Sequence, residues 1–383
     1  LLGVYNGALF ANTTGANNTA VGSGALIQNT TASSNTAVGY QAAYSNTTGS
    51  YLTAVGESAL YSNTTGIRST AVGRAALGNN TEGNYNSALG YAALNATTTG
   101  SSNSALGYFA LGANTTGYNN TALGTNVMLA NTTGASNVAV GREALLSNTT
   151  ASNNTAVGHQ AGYANTTGTG ITAVGSSALK DNTTGSYNTA LGINALENNT
   201  TASNNVSIGF ASMTANTTGA SNVAIGRQAL AANTTASDNT AVGYQAGYAV
   251  TTATRNVLVG RNAGDDITTG GENTIIGYYA GSNVTTGQRN VIIGRGGGGS
   301  GQSVDSSNNT MVGPGAGSSI TTGGSNTIIG AYNGNQDGVD IRTKSKHVVL
   351  SDGGGDPQFH TWYEQTDSIN QMQASVPRGL LLS

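Results

Sequence analysis

The chain has no cysteine, three prolines and one tryptophan in 383 residues, and only 8% of its residues are charged. Without cysteine there is no disulfide and no thiolate metal site. Stability has to come from elsewhere. Lysine and arginine together number 13, against 16 acidic residues. That scarcity of basic residues excludes the footprint by which proteins neutralise phosphates, so no nucleic-acid partner is expected. No apolar run approaches the roughly 20 residues that cross a bilayer, so no membrane insertion is expected. Leu1–Leu2 is too short to be diagnostic of a targeting segment. Disorder usually accompanies high net charge and few apolar residues. Here the net charge is −3, and 37% of residues are hydrophobic, at regular positions.

What the chain has in abundance is repetition. A glycine closing AVG, ALG or a variant falls at Gly22, Gly39, Gly56 and every 17th residue to Gly294. One step of 19 residues is read at each end, from Gly3 to Gly22 and from Gly294 to Gly313, and a last step of 17 reaches Gly330. The extra residues fall in GVYNGAL (3–9) and GRGGGGSGQSVD (294–305). A sustained short period means a solenoid, and 17 residues are too few for a helical hairpin. The expected fold is all-β: a β-solenoid or β-roll of about nineteen coils over residues 1–331. A non-repetitive cap or neck follows over 332–383. TAVG with its flanks and the xxAL segment read as strands, and NTTG or NTTA as turns. At 4.7–4.9 Å per stacked strand the coils would make a rod on the order of 90 Å long.

Reading down the columns separates inside from outside. The residue before the glycine is always aliphatic (Val21, Val38, Leu89, Ile208, Ile276) and is read as core. So are the Ala–Leu pairs three and four residues after it, such as Ala25–Leu26 and Ala59–Leu60. Two asparagine columns are read as buried ladders. One lies four residues before the glycine (Asn18, Asn35, Asn86, Asn103, Asn120) and is interrupted by Leu52, Ser69 and Ile171. The other lies seven after it (Asn29, Asn46, Asn63, Asn114, Asn131). Stacked identical amides can donate to one neighbour and accept from the next. The second column becomes Val250, Ile267, Val284 and Ile320 in late coils, an exchange suited to an inward position. NTT matches the glycosylation acceptor pattern, but an inward Asn cannot carry a sugar. The same late coils replace the Ala two before the glycine with Leu258, Ile275, Ile292, Met311 and Ile328, so the core changes shape there. The recurring glycine implies a backbone conformation that other residues resist, or close approach of chains.

Little points to chemistry. His159, His347 and His360 are scattered along the chain, and Asp265–Asp266 reads as a solvated turn. No carboxylate pair recurs at one column, as calcium-binding coils would need. The Gly-rich stretch from 294 lacks the Lys-Ser/Thr sequel of a phosphate loop. No nucleophile–base set is found, so neither an enzyme nor a cofactor is expected. The Thr of NTT are adjacent rather than alternating, which speaks against a flat ice-binding face. One surface column stands out just after the glycine: Tyr40, Arg74, Tyr91, Tyr108, Arg142, Phe210, Arg227, Tyr244, Arg261, Tyr278 and Arg295. Such a stripe can be lateral packing, a subunit interface or a sugar-binding surface.

The coils SNVAIG (221–226), NNVSIG (204–209) and SNVAVG (136–141) resemble the head repeats of trimeric autotransporter adhesins. That resemblance implies a left-handed parallel β-roll with three chains side by side. NTAVGYQA, ALxxNTTG and the tail HVVLSDGGGDP (347–357) are similar to repetitive bacteriophage tail-fibre proteins. There a neck of this kind precedes a C-terminal chaperone that directs trimer assembly and cleaves itself off after a serine. Ser383 would then be a processed end, although a chain cut there for other reasons would end at the same residue. The opening coil lacks its Asn-containing first half, so residues are expected before Leu1. The function these resemblances imply is that of a structural fibre, extracellular or on a virion. It would be a homotrimer that spans distance and presents a surface to a glycan or protein receptor. The Tyr/Arg column would join the chains, while His360, Trp362 and Tyr363 would touch the host or complete the neck. The alternative is an adhesin or matrix filament, a homopolymer joined end to end.

Overall fold

The computed structural model describes residues 2–4, 7–298, 306–366 and 369–375, with side chains for 7–298 and 306–362. Leu1, Ser383 and residues 299–305 of the Gly-rich stretch lie outside the described residues. The chain is an all-β parallel β-solenoid of about nineteen turns, 17 residues apart. No helix occurs among the described residues. There are two compact units: Leu1–Asn194 with Asn199–Thr201, and Ala195–Asn198 with Ala202–Ser383.

In the first unit every coil contributes one three-residue strand, from Leu2–Val4 through Thr19–Val21 to Thr189–Leu191. Each pairs in parallel with the same columns of the next coil, as in Thr19↔Thr36, Ala20↔Ala37 and Val21↔Val38. The second unit repeats this from Val206–Ile208 to Thr327–Ile329. The step widens to 19 between Ile292 and Met311, where the extra residues of the Gly-rich stretch fall. The 19-residue step read at the start does not exist: Gly3 is in register with Ala20, 17 residues on, and so stands outside the glycine column.

The xxAL segment is not a strand. It is a run of overlapping turns containing left-handed residues, here Ser58 (φ 55°) and Leu60 (φ 53°), with a third, Arg68 (φ 53°), completing the coil. An extended strand cannot pass through positive φ, so the chain curls. The turns satisfy their own backbone groups: Asn63 N–H donates to the Leu60 carbonyl at 3.1 Å, and Leu60 N–H to Ala76 of the next coil at 3.0 Å. The glycine column meets both of its expected demands. Gly124 has φ +139°, and a Cβ there would lie 2.7 Å from the Gly141 carbonyl oxygen one coil on.

The core lies elsewhere than hydrophobicity suggested. In Thr19–Val21 and its counterparts the central Ala is buried while Thr and Val face out. The aliphatic column before the glycine is therefore a surface column: Val21, Val38 and Ile276 are exposed, Ile208 is half-buried, and Leu89 keeps 47% of its surface. Side chains alternate along a strand, so with the central residue inward both of its neighbours point out. The inward one is small because the Leu four residues after the glycine, such as Leu26, Leu60 and Leu77, fills the interior. Each such Leu contributes about 1.5–3 kcal/mol on burial.

The late coils move this volume rather than add to it. Gly247, Gly264 and Gly281 replace the Leu, and Leu258, Ile275 and Ile292 replace the Ala. The exchange is enforced by space, since a Cβ on Gly264 would sit 2.9 Å from a Leu258 methyl. Interiors of this density tolerate conserved volume and little else. The same logic explains two breaks in the first Asn column. Gly162 stands where Leu is usual, and Ile171, 3.5 Å from the Cβ that Gly162 lacks, fills the gap. Leu52 stands in the same relation to Ala43, and both are buried.

From Asn18 onward the asparagines of both columns are buried, and Asn12, at the start of the second, is half-buried. In the column after the glycine the amides form a side-chain ladder. Asn131 Nδ2 donates to Asn114 Oδ1 at 2.8 Å, and Asn148 Nδ2 donates to Asn131 Oδ1 at 2.8 Å. The column before the glycine works mainly through the backbone. Asn35 N–H donates to Asn18 Oδ1 at 3.0 Å, and Asn35 Nδ2 to the Gly49 carbonyl at 3.0 Å. Asn46 Nδ2 donates to that same carbonyl at 2.9 Å, so the two columns share an acceptor here, as Asn103 and Asn114 share the Gly117 carbonyl. A third ladder comes from the first Thr of NTT: Thr47 Oγ1 donates to the Thr64 carbonyl at 3.0 Å, and Thr64 Oγ1 to Thr81 at 3.0 Å.

The neck begins as one more, altered coil. Val348–Leu350 pair in parallel with Thr327–Ile329, and His347 takes the Asn position, its N–H donating to Asn326 Oδ1 at 2.9 Å. The chain then reverses. His347–Ser351 pairs antiparallel with Pro357–Thr366, which pairs antiparallel with Ile369–Ser375.

Candidate functional site

Four surfaces carry the chemistry that the fold exposes. The first is the outer face of the strands. Its aliphatic column runs unbroken through each unit, with Leu89, Leu106, Leu123 and Leu191 exposed in the first and Ile225, Ile276, Ile293 and Ile329 in the second. The sequence reading placed this column inside. Three residues are too few for the alternation of a strand to declare its phase.

The second is the column after the glycine, and the structure puts all its members on the outside. In the first unit Arg74 reaches Glu57 at 3.2 Å and its Nη1 donates to the Tyr91 hydroxyl at 3.1 Å. Tyr91 stacks on Tyr108 with centroids 5.4 Å apart. Tyr40 is exposed, and its column neighbour on one side is a serine. Arg142 turns sideways to Glu143 at 2.9 Å. Gln160, donating at 2.8 Å, and then Arg142 hold the Glu143 carboxyl below its ordinary range. His159, in the same column, is exposed, as the solvated-turn reading expects. In the second unit the column becomes a regular stack. Arg227 lies over Phe210 (5.6 Å) and Tyr244 (5.9 Å), and Arg261 over Tyr244 (5.4 Å) and Tyr278 (5.8 Å). Arg295 follows in the next coil. Cation–π contacts at exposed sites contribute about 0.5–1 kcal/mol each.

The third surface, five residues before the glycine, escaped the sequence reading. Arg68 lies 5.6 Å over both Tyr51 and Tyr85, and Glu272 bridges Arg255 (3.0 Å) and Arg289 (2.9 Å). These arginines hold the Glu272 carboxyl below its ordinary range, Arg289 first. The signal was a second column of mixed type, hidden because Ser and Asn fill most of its other coils.

The fourth is the neck. The histidines that look scattered in sequence meet there, with His347 Nδ1 and His360 Nε2 2.8 Å apart and the rings stacked at 5.1 Å. Trp362 packs 5.2 Å from His360. Both imidazoles are buried, and desolvation pulls them below the ordinary histidine range, His347 to about 4. His360 is thus part of the neck's interior rather than a contact surface. The side chain of Tyr363 lies outside the described residues. The Asp265–Asp266 turn is only half solvated. Asp266 is exposed, but Asp265 is half-buried, accepts from Asn262 Nδ2 at 2.7 Å, and has its carboxyl pushed up by burial.

Among the described residues no group of three or more His, Cys, Asp or Glu could hold a metal ion. No described helix is long and apolar enough to cross a membrane. No protein-family model matches the chain, nor does any curated protein or solved structure.

Proposed function

We propose that the chain is a structural fibre segment, of the tail-fibre kind, that works on a virion or cell exterior. Its tasks are to span distance and to present a receptor-binding surface. The observation that carries this is the outward aliphatic column. Nearly every coil displays Val, Leu or Ile on a sheet face, with no charge in that column. Contiguous exposed apolar surface of this extent marks an interaction face. Only a partner with the same repeat can match it coil for coil, which points to further copies of this chain. Three chains would meet through this face. The Tyr/Arg column, first read as the subunit contact, is then left to face outward.

Light scattering on the purified chain tests the reading. The expected result is a discrete particle of three chains that falls apart when Leu89, Leu106 and Leu123 are replaced by Glu. A native particle of one chain would overturn it.

A further inference from the structure

The column from Phe210 to Arg295 holds three arginines in alternate coils without a carboxylate partner among the described residues, where Arg68, between Tyr51 and Tyr85, is a single one. Each of the five described ion pairs gives an arginine a carboxylate: Arg74 has Glu57, Arg142 has Glu143, Arg255 and Arg289 share Glu272, and Arg342 has Asp340. Arg227, Arg261 and Arg295 have no carboxylate within ion-pair distance among the described residues, and all three are exposed. Rings hold Arg227 and Arg261 from both faces, so only their N–H edges are open to solvent.

We propose that this column binds a linear carboxylated polysaccharide lying along the solenoid. The ligand is linear because the site is a single column. It is anionic because the guanidinium edges here have no carboxylate among the described residues, and their fork matches one. Stacking the guanidiniums between rings fixes them before the ligand arrives, so little side-chain freedom is lost on binding. Arginines in alternate coils recur about every 9.5 Å, twice the strand spacing. An extended glycan with one carboxylate per two sugar rings suits that repeat. Between them the Tyr244 and Tyr278 hydroxyls can bond to sugar hydroxyls. Single-stranded nucleic acid fits less well, since it needs free aromatic faces for its bases, and the faces of Tyr244 are both covered.

The inference deepens the receptor-binding part of the fibre reading and rests on it. The probe is a length series of hyaluronan oligosaccharides, titrated calorimetrically into the full chain. Affinity should rise with length until the oligosaccharide spans the six coils, then level off, and methyl esterification of the carboxylates should abolish it. The double variant Arg227→Lys, Arg261→Lys keeps the charge and loses the fork. It should bind at least about tenfold more weakly with an unchanged melting profile. Absent hyaluronan binding, equal or tighter binding of single-stranded DNA, or unchanged affinity in the Lys variant would each overturn the proposal. Particle mass is read separately. A single chain that still binds hyaluronan sinks the trimer and spares this site, and a trimer that does not bind sinks this site alone.

Discussion

The side-chain ladder of Asn131 has a gap at which its value can be measured. Asn63, Asn80 and then Asn114 belong to one column, but the coil between the last two carries Thr97. Asn80 Nδ2 donates to Asn63 Oδ1 at 2.7 Å and to the Gly83 carbonyl at 3.0 Å, yet its own Oδ1 is buried and has no partner. On the other side Asn114 Nδ2 donates to the Gly117 carbonyl at 3.1 Å, but along the column it reaches only the Thr97 hydroxyl, at 3.4 Å. Asn233 shows the same defect, its Oδ1 orphaned where Val250 replaces the next Asn. Two orphaned oxygens at two interruptions say that each ladder amide serves its neighbour. The substitution Thr97→Asn should therefore stabilise. It supplies a donor to Asn80 Oδ1 and a better acceptor to Asn114 Nδ2. Relieving one buried unsatisfied acceptor is worth about 1–3 kcal/mol. The larger side chain costs part of this if the site must expand. Long repeat arrays do not melt in one step, so the assay is amide hydrogen exchange around Asn86 and Asn103, read against global melting. Slower exchange confined to these coils is expected, and Asn131→Thr should produce the opposite. If Thr97→Asn leaves exchange unchanged while Asn131→Thr is harmless, the ladder does not stabilise the coil and the reasoning fails.

Other outcomes follow from the same geometry. Gly141→Ala forces a Cβ to 2.5 Å from the Gly158 carbonyl oxygen at φ +127°; a loss on the order of 3 kcal/mol or more is expected, read as a lowered melting temperature, and a neutral effect would refute the close-approach account. The neck should loosen in acid. His347 and His360 are neutral when folded because burial lowers both, so their contribution is complete above the ordinary histidine pKa and is lost as pH falls below it, for His347 through about 4. The facing charges, Lys344 and a protonated partner imidazole, only add repulsion. No titratable residue lies in Thr327–Ile329 or Ile369–Ser375. Fluorescence of Trp362, the sole tryptophan, should report that transition, and a flat profile between pH 7 and 4 would contradict it.

Much of this was legible in one dimension. A 17-residue period in a chain poor in charge leaves few folds besides a thin parallel solenoid, because each coil must bury its neighbour's edge. The Gly and Asn columns announced their roles by residue type: glycine where a Cβ would strike a carbonyl, and Asn exchanging with Val and Ile where side chains point inward. Residue type could not settle the phase of the strands. Val21 is more hydrophobic than Ala20, yet Ala20 is inside, because the interior is already filled by Leu26 and has room only for a methyl. Nor could it show that xxAL curls through left-handed residues, since the Leu and Ala there have no local preference for positive φ. The meeting of His347 with His360 and the exchange of volume between Gly264 and Leu258 are likewise products of packing. In each case the deciding quantity was the space left by neighbouring coils, which exists only once the chain is stacked on itself.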